Sequence, residues 1–262
     1  MVVFIIRRYI NILIICICLC ANYVRENLPD DYKHKNNSSK INRTIENLII
    51  NFANTSKNKS RDNMNKKEVI FVLLNEFADW EGAYIATCLN IGVKPGSPVN
   101  YTVKTMSVTK DPIMSIGGFK VLPDYDLNDM PTDHAGLVLI GGMHWFSLEA
   151  AQIVPLVEKA IEDNKLVAGI CNASVFLGAH GILNNVKHTS NGLDYLKQYA
   201  GEKYTGEANY INEQAVRDGN IVTANGTSPL EFCREVLYVL EAATPEIIEE
   251  SYQYYTNGLS PK

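Results

Sequence analysis

The chain has 262 residues and a formal net charge of −5, with 46% of its residues hydrophobic and 9% aromatic. That is enough apolar material for the core of one large domain or two small ones, and the acidic balance excludes the basic footprint of a nucleic-acid binder. The charge is uneven: residues 1–63 carry ten Lys/Arg against five Asp/Glu, and residues 64–262 carry fourteen against twenty-four.

The opening segment, "MVVFIIRRYINILIICICLCANYV" (1–24), is apolar around Arg7 and Arg8. Its sixteen residues from Tyr9 to Val24 are short of the roughly twenty that span a membrane. They resemble the apolar region of a signal peptide or anchor. Residues 25–63 are rich in Asn, Lys and Ser and read as a disordered polar linker. A second reading stands beside this one. Met64 opens "MNKKEVIFVLL", a short basic lead into a strand, so the preceding residues also fit a mis-called start. A start at Met64 implies a cytoplasmic protein; otherwise residues 1–24 export or anchor it. No membrane segment is expected in residues 64–262, which are read as one domain.

Six cysteines divide evenly. Cys16, Cys18 and Cys20 lie in the first apolar run, and Cys88, Cys171 and Cys233 are far apart in the main region. No CxxC occurs there, so neither a disulfide framework nor a zinc site is expected.

From residue 68 onward, strand and helix patterns alternate. "EVIFVLL" (68–74) is a continuous apolar run, as in a parallel strand buried on both faces. Asp79 is placed to cap a helix through Tyr84, Ile85, Cys88 and Leu89. "NYTVKTMSV" (100–108) alternates as a strand, and "SIGGFKVLPDYDL" (115–127) reads as a hairpin or extended connection. "AGLVLIGG" (135–142) is a buried strand ending in two glycines. An amphipathic helix is expected over 147–165, capped by Ser147 with Glu149 nearby. "LVAGI" (166–170) is another buried strand, followed by a helix from Ala173 to His180 that Gly181 ends. "VKHTS" (186–190) reads as a short strand and 192–200 as a helix. Residues 215–225 form two strands about Asp218-Gly219. Helices over 228–242 and 244–258 open on Ser-Pro and Thr-Pro. The alternation predicts an α/β domain with a mostly parallel sheet and helices on both faces.

Ligands of open α/β sheets bind outside the carboxyl ends of the strands, and there the chain places Cys171. It joins a strand to a helix in the pattern G-x-C-x-A, close to a nucleophile elbow. A thiol at a helix N-terminus gains from the dipole, which favours thiolate. The backbone N–H groups of Gly141, Gly142 and Asn172 are candidate oxyanion donors. Glu81, at the start of the first helix, is placed to share a proton with the thiol or to orient it. The bland readings are a buried inert cysteine, a tight Gly-Gly turn and a solvated first-turn carboxylate.

Taken together, "FVLLNEFADWEGAYIA", "SIGGFKVLPDYDL", "LVLIGG", "GICNAS", "HTSNG" and "NGTSPLEF" resemble the ThiJ/PfpI family of the class I glutamine amidotransferase-like superfamily. That family includes a protein deglycase and intracellular proteases. The resemblance runs from residue 67 to about 242. It implies a flavodoxin-like three-layer sandwich, Cys171 as nucleophile, Glu81 as its acidic contact, Gly142 and the Asn172 amide as oxyanion donors, and a homodimer. The chain departs from the family's patterns. The protease branch has a histidine directly after the nucleophile, where Asn172 stands. The deglycase branch's histidine aligns with Asn191. An asparagine is no general base. The imidazoles nearest these positions are His188, three residues before Asn191 and otherwise an edge-strand histidine, and His144 in "GGMHW", otherwise a loop residue beside Trp145. His180 reads as a helix C-terminal charge. Trp80, Trp145 and Tyr125 are candidates to line the crevice.

The favoured function is a cysteine-dependent hydrolase or lyase on small carbonyl or amide compounds, deglycase-, glyoxalase- or amidase-like, needing no metal and no cofactor. The alternative is a redox or stress sensor through oxidation of Cys171, which needs no base. A binding domain using the same crevice is the third reading. Peptidase activity is the least favoured.

Overall fold

The computed structural model describes residues 66–258, all within one unit that runs from Asn63 to Lys262. The readings made for residues 1–63 lie outside the described residues.

The buried run after Lys66 forms β1 (Lys67–Val72), and α1 (Asp79–Ile91) follows it. Next come β2 (Tyr101–Met106), the short pair β3 (Ile113–Met114) and β4 (Lys120–Val121), and β5 (His134–Leu139). Two 3-10 turns (Met143–Phe146 and Ala150–Ile153) lead into α2 (Val154–Glu162). Then follow β6 (Leu166–Ile170), α3 (Asn172–Ala179), α4 (Leu193–Ala200), β7 (Ala215–Asp218), β8 (Ile221–Ala224), α5 (Pro229–Val239) and α6 (Pro245–Asn257).

Six strands pair in the order β2-β1-β5-β6-β8-β7, all parallel except the β7–β8 hairpin. Leaving out the edge strand β7, this is the flavodoxin-like order, with a reversal of winding between β1 and β5. Strand residues alternate between two cores, as the period of two requires. Val69, Phe71, Val138 and Ala168 face Ile85, Phe232, Val236 and Ile248 on the α1, α5 and α6 side. Ile70, Val72, Leu137 and Leu139 face Val157, Phe176 and Leu196 on the α2, α3 and α4 side. The result is the expected three-layer α/β sandwich. Each fully buried Leu, Ile or Phe contributes about 1.5–3 kcal/mol, so both helix layers are held firmly beneath the site. No helix among the described residues is long and apolar enough to cross a membrane.

Three local expectations change. The helix expected over 147–165 opens as 3-10 turns, and its α part starts only at Val154. Pro155 has no N–H to continue an α ladder. Ser147 Oγ instead accepts from the Ala150 N–H at 3.2 Å. Asp79 does not cap α1, whose N-cap is Ala78; its carboxylate accepts the Gly117 N–H at 2.8 Å and ties α1 to the β3–β4 hairpin. Residues 186–190 form no strand, only a single bridge between His188 and Tyr210. There Thr189 binds through its neighbours' side chains and its own: its N–H reaches Thr223 Oγ1 and its hydroxyl reaches the Glu213 carbonyl, both at 2.8 Å.

Candidate active site

Cys171 sits between β6 and α3 with φ 57° and ψ −129°. A non-glycine residue in such a conformation stores about 1–3 kcal/mol of strain. The surroundings hold it there. The Cys171 N–H donates to the Ala224 carbonyl at 3.0 Å, and its carbonyl accepts from the Ser174 N–H and hydroxyl at 3.0 and 2.6 Å. Gly169 lets α3 fold back over β6, since a β-carbon there would lie 2.8 Å from Leu177 Cδ1. The elbow inferred from G-x-C-x-A is present in the backbone.

Glu81 is fully buried at the start of α1, despite its charge type. One carboxylate oxygen accepts the Gly141 N–H at 2.8 Å. The other, Oε1, has no hydrogen-bond partner of ordinary geometry among the described residues. It lies on the thiol's side: a β-carbon at Gly226 would be 2.8 Å from Cys171 Sγ and 3.2 Å from Glu81 Oε1. Burial pushes the Glu81 carboxyl up to about 7, against the opposing pull of the thiol and the Gly141 N–H.

The sulfur itself departs from expectation. The Asn172 N–H and Asn191 side chain favour thiolate, but burial and the neighbouring Glu81 charge outweigh them and raise the thiol to about 11. Dipole stabilisation at the helix terminus therefore does not decide the state of the isolated thiol. The cysteine and the carboxyl titrate against each other, and one proton on Glu81 removes the charge that opposes a thiolate.

Oxyanion donors also divide. The Gly141 N–H is committed to Glu81 and is not a free donor. Gly142 and Asn172 carry the other two candidate N–H groups, and that of Asn172 faces the sulfur. The Asn172 side chain is a brace. Its Nδ2 donates to the Gly142 carbonyl at 3.1 Å, and its Oδ1 accepts from Asn191 Nδ2 at 3.2 Å and from the Tyr195 hydroxyl at 3.1 Å. Asn172→Ala strands these partners, so urea denaturation is expected to show a loss of about 2–4 kcal/mol. A loss near zero would mean that the brace is idle.

The histidines are elsewhere. His188 is buried, with Nδ1 on the Val186 carbonyl and Nε2 on the Tyr204 hydroxyl, both at 2.7 Å. Its nitrogens are used up in tying residues 186–188 to Tyr204, beyond the end of α4. His144 follows the glycine pair but turns to Glu149 at 3.1 Å. His180 packs on Phe176, and burial lowers its basicity, so it is a poor fixed charge. Trp145 is core, donating to the Ile140 carbonyl, and Tyr125 bonds Glu68 at the opposite end of β1. Trp80 does reach the site's edge, through the Gly226 carbonyl at 3.2 Å.

Asn191 has the place sought for an imidazole. Its Nδ2 lies 3.4 Å from Cys171 Sγ, and its Oδ1 accepts the Gly226 N–H at 2.9 Å. Asn191, Gly226 and Tyr195 were not singled out as site residues, although "HTSNG" and "NGTSPLEF" contain the first two.

The sequence model of the DJ-1/PfpI family matches residues 67–238. The chain is 40% identical over 185 residues to the uncharacterized protease YdeA of Bacillus subtilis (strain 168), covering 70% of this chain and 88% of that protein. Its fold is similar to that of the DJ-1 superfamily protein Atu0886 from Agrobacterium tumefaciens, with a TM-score of 0.65 and 35% identity over 74% of this chain and all of that one. A thiJ/pfpI family protein from Bacillus anthracis is similar at a TM-score of 0.68 and 32% identity, over 74% of this chain and 92% of that one. The chain belongs to the DJ-1/PfpI family.

Proposed function

We propose that the protein is a cysteine-dependent hydrolase or lyase acting on small carbonyl or amide compounds. One observation carries this reading: a fully buried carboxyl with one oxygen unpartnered beside a thiol at a strained elbow. At about 7 the Glu81 carboxyl exists in both forms near neutral pH. That suits a group that takes a proton and returns it. In the first step Cys171 sulfur bonds the substrate's carbonyl carbon. The thiol proton passes to Glu81, and the carbonyl π pair moves to oxygen. The Gly142 and Asn172 N–H groups hold that oxygen until Glu81 returns the proton to it, or to a departing amine. Peptidase chemistry is the least supported, because no imidazole bonds the thiol among the described residues.

Turnover of methylglyoxal and of small amides tests the reading. Cys171→Ser is expected to lower it by about 10²-fold or more. Unchanged turnover in Cys171→Ser would refute it.

A second reading, a redox sensor, is favoured by the same absence of an imidazole. A protonated Glu81 would donate a hydrogen bond to an oxidised Cys171 sulfur. In that case turnover is absent from the wild type, and mild peroxide adds about 32 Da to Cys171 alone.

A further inference from the structure

Beneath the site lies a pair of thiols that the chemistry above does not use. Cys88, on α1, and Cys233, on α5, are buried with their sulfurs 3.9 Å apart. They are 145 residues apart in the chain, so the fold alone brings them together. The Cys233 thiol donates to Cys88 and holds Cys88 below the ordinary thiol range. A cavity of ≈ 20 Å³ opens beside them, walled by Tyr84, Leu237, Ile248 and Tyr252. Space of that size admits a molecule of water's dimensions. Disulfide formation requires the sulfurs to close from 3.9 Å to about 2.05 Å, by turning the two side chains and drawing α1 and α5 together.

We propose that Cys88 and Cys233 are a redox modification site, forming a reversible disulfide between α1 and α5 when a peroxide is the oxidant. Cys88 sulfur attacks a peroxide oxygen and the O–O bond breaks. The leaving hydroxide takes the thiol proton as water, and Cys88 becomes a sulfenic acid. Cys233 sulfur then attacks Cys88 sulfur, the S–O bond breaks, and a second water leaves with the Cys233 proton. Two electrons pass from the two thiols to one peroxide.

The cross-link bears on the site because both helices begin there. Cys88 stands seven residues after Glu81 on the same buried face of α1. The loop entering α5 carries Gly226, which lies against Cys171 and is held by Trp80 of α1. Drawing the helices together alters the Glu81–Cys171–Gly226 spacing. This consequence rests on the function proposed above; the disulfide does not.

The full chain is treated with hydrogen peroxide, blocked with N-ethylmaleimide, digested without reductant and mapped by mass. The expected product is a peptide linking Cys88 to Cys233, about 2 Da lighter than the two reduced peptides together. It should form in wild type and in Cys171→Ser alike, disappear with dithiothreitol, and be absent in Cys88→Ala. The wild-type map needs no variant to fold. Full maleimide labelling of Cys88 and Cys233 while Cys171 is oxidised would overturn the proposal, as would sulfinic acid at Cys88 without a link. A link that forms while methylglyoxal turnover is absent even before oxidation upholds the modification site and removes only the enzymatic reading.

Discussion

Replacing Glu81 by glutamine is expected to make the protein more stable above pH 7 while lowering its turnover about 10²-fold or more. The folded protein holds this carboxyl at about 7, against an ordinary value of 4.5, chiefly because it is buried. Between those values the folded state keeps a proton that the unfolded chain has lost, so stability falls as pH rises. The contribution of the neutral carboxyl is complete below about 4.5 and gone above about 7. Such a shift corresponds to about 3 kcal/mol, or on the order of 8 °C in Tm for a domain of this size. Glutamine keeps an oxygen for the Gly141 N–H and does not ionise. The variant's advantage in thermal melts should therefore be large at pH 8 and small at pH 5. An equal gain at both pH values, or none at pH 8, would show that desolvation does not dominate this site. The opposite signs on stability and turnover also separate a proton carrier from a merely structural carboxylate.

Much of this site was legible in the sequence because its backbone demands particular residues. An apolar run meeting a helix at G-x-C-x-A places an elbow, and a strand ending in two glycines places its neighbour. Both signals are local, and both were found where expected in the backbone. Glu81 was legible as a position on the first turn of α1, but its complete burial was not. That depends on Gly141, Gly226 and Cys171 converging from three separate segments. The same limit explains the thiol. Helix-dipole reasoning is local and favours thiolate, whereas burial and the Glu81 charge are tertiary and outweigh it. His188 shows the converse. Its spacing from Asn191 gave no hint of Tyr204, whose hydroxyl takes its Nε2. Asn191 aligned with a histidine position yet carries an amide, and only the fold shows it bridging the sulfur, Asn172 and Gly226. The strand expected over 186–190 failed for a related reason: Thr189's hydrogen bonds go to distant side-chain and loop partners that no local pattern specifies.

Gly141→Ala is expected to damage this arrangement severely. A β-carbon at Gly141 would lie 2.4 Å from Glu81 Oε2, 2.5 Å from Cys171 Cβ and 2.8 Å from the Ile170 carbonyl. None of these is the free end of a flexible side chain. The carboxyl is held by the Gly141 N–H itself, the Cys171 Cβ by the strained elbow, and the carbonyl by β6. Relief requires β6 to move from β5 or Glu81 to leave its pocket, and overpacking of this kind costs about 3 kcal/mol or more. The nearby Gly82→Ala supplies the contrast. There the new β-carbon meets Ile140 at 3.4 Å, ordinary contact, within the body of α1. It should gain roughly 0.5–1 kcal/mol, since alanine suits a helix better than glycine. Urea denaturation of the two variants reads both changes, and Cys171 alkylation rates read the site. A Gly141→Ala protein as stable as wild type, with Cys171 alkylated at the wild-type rate, would show that Glu81 and the elbow are not in the close contact from which the proton transfer is argued.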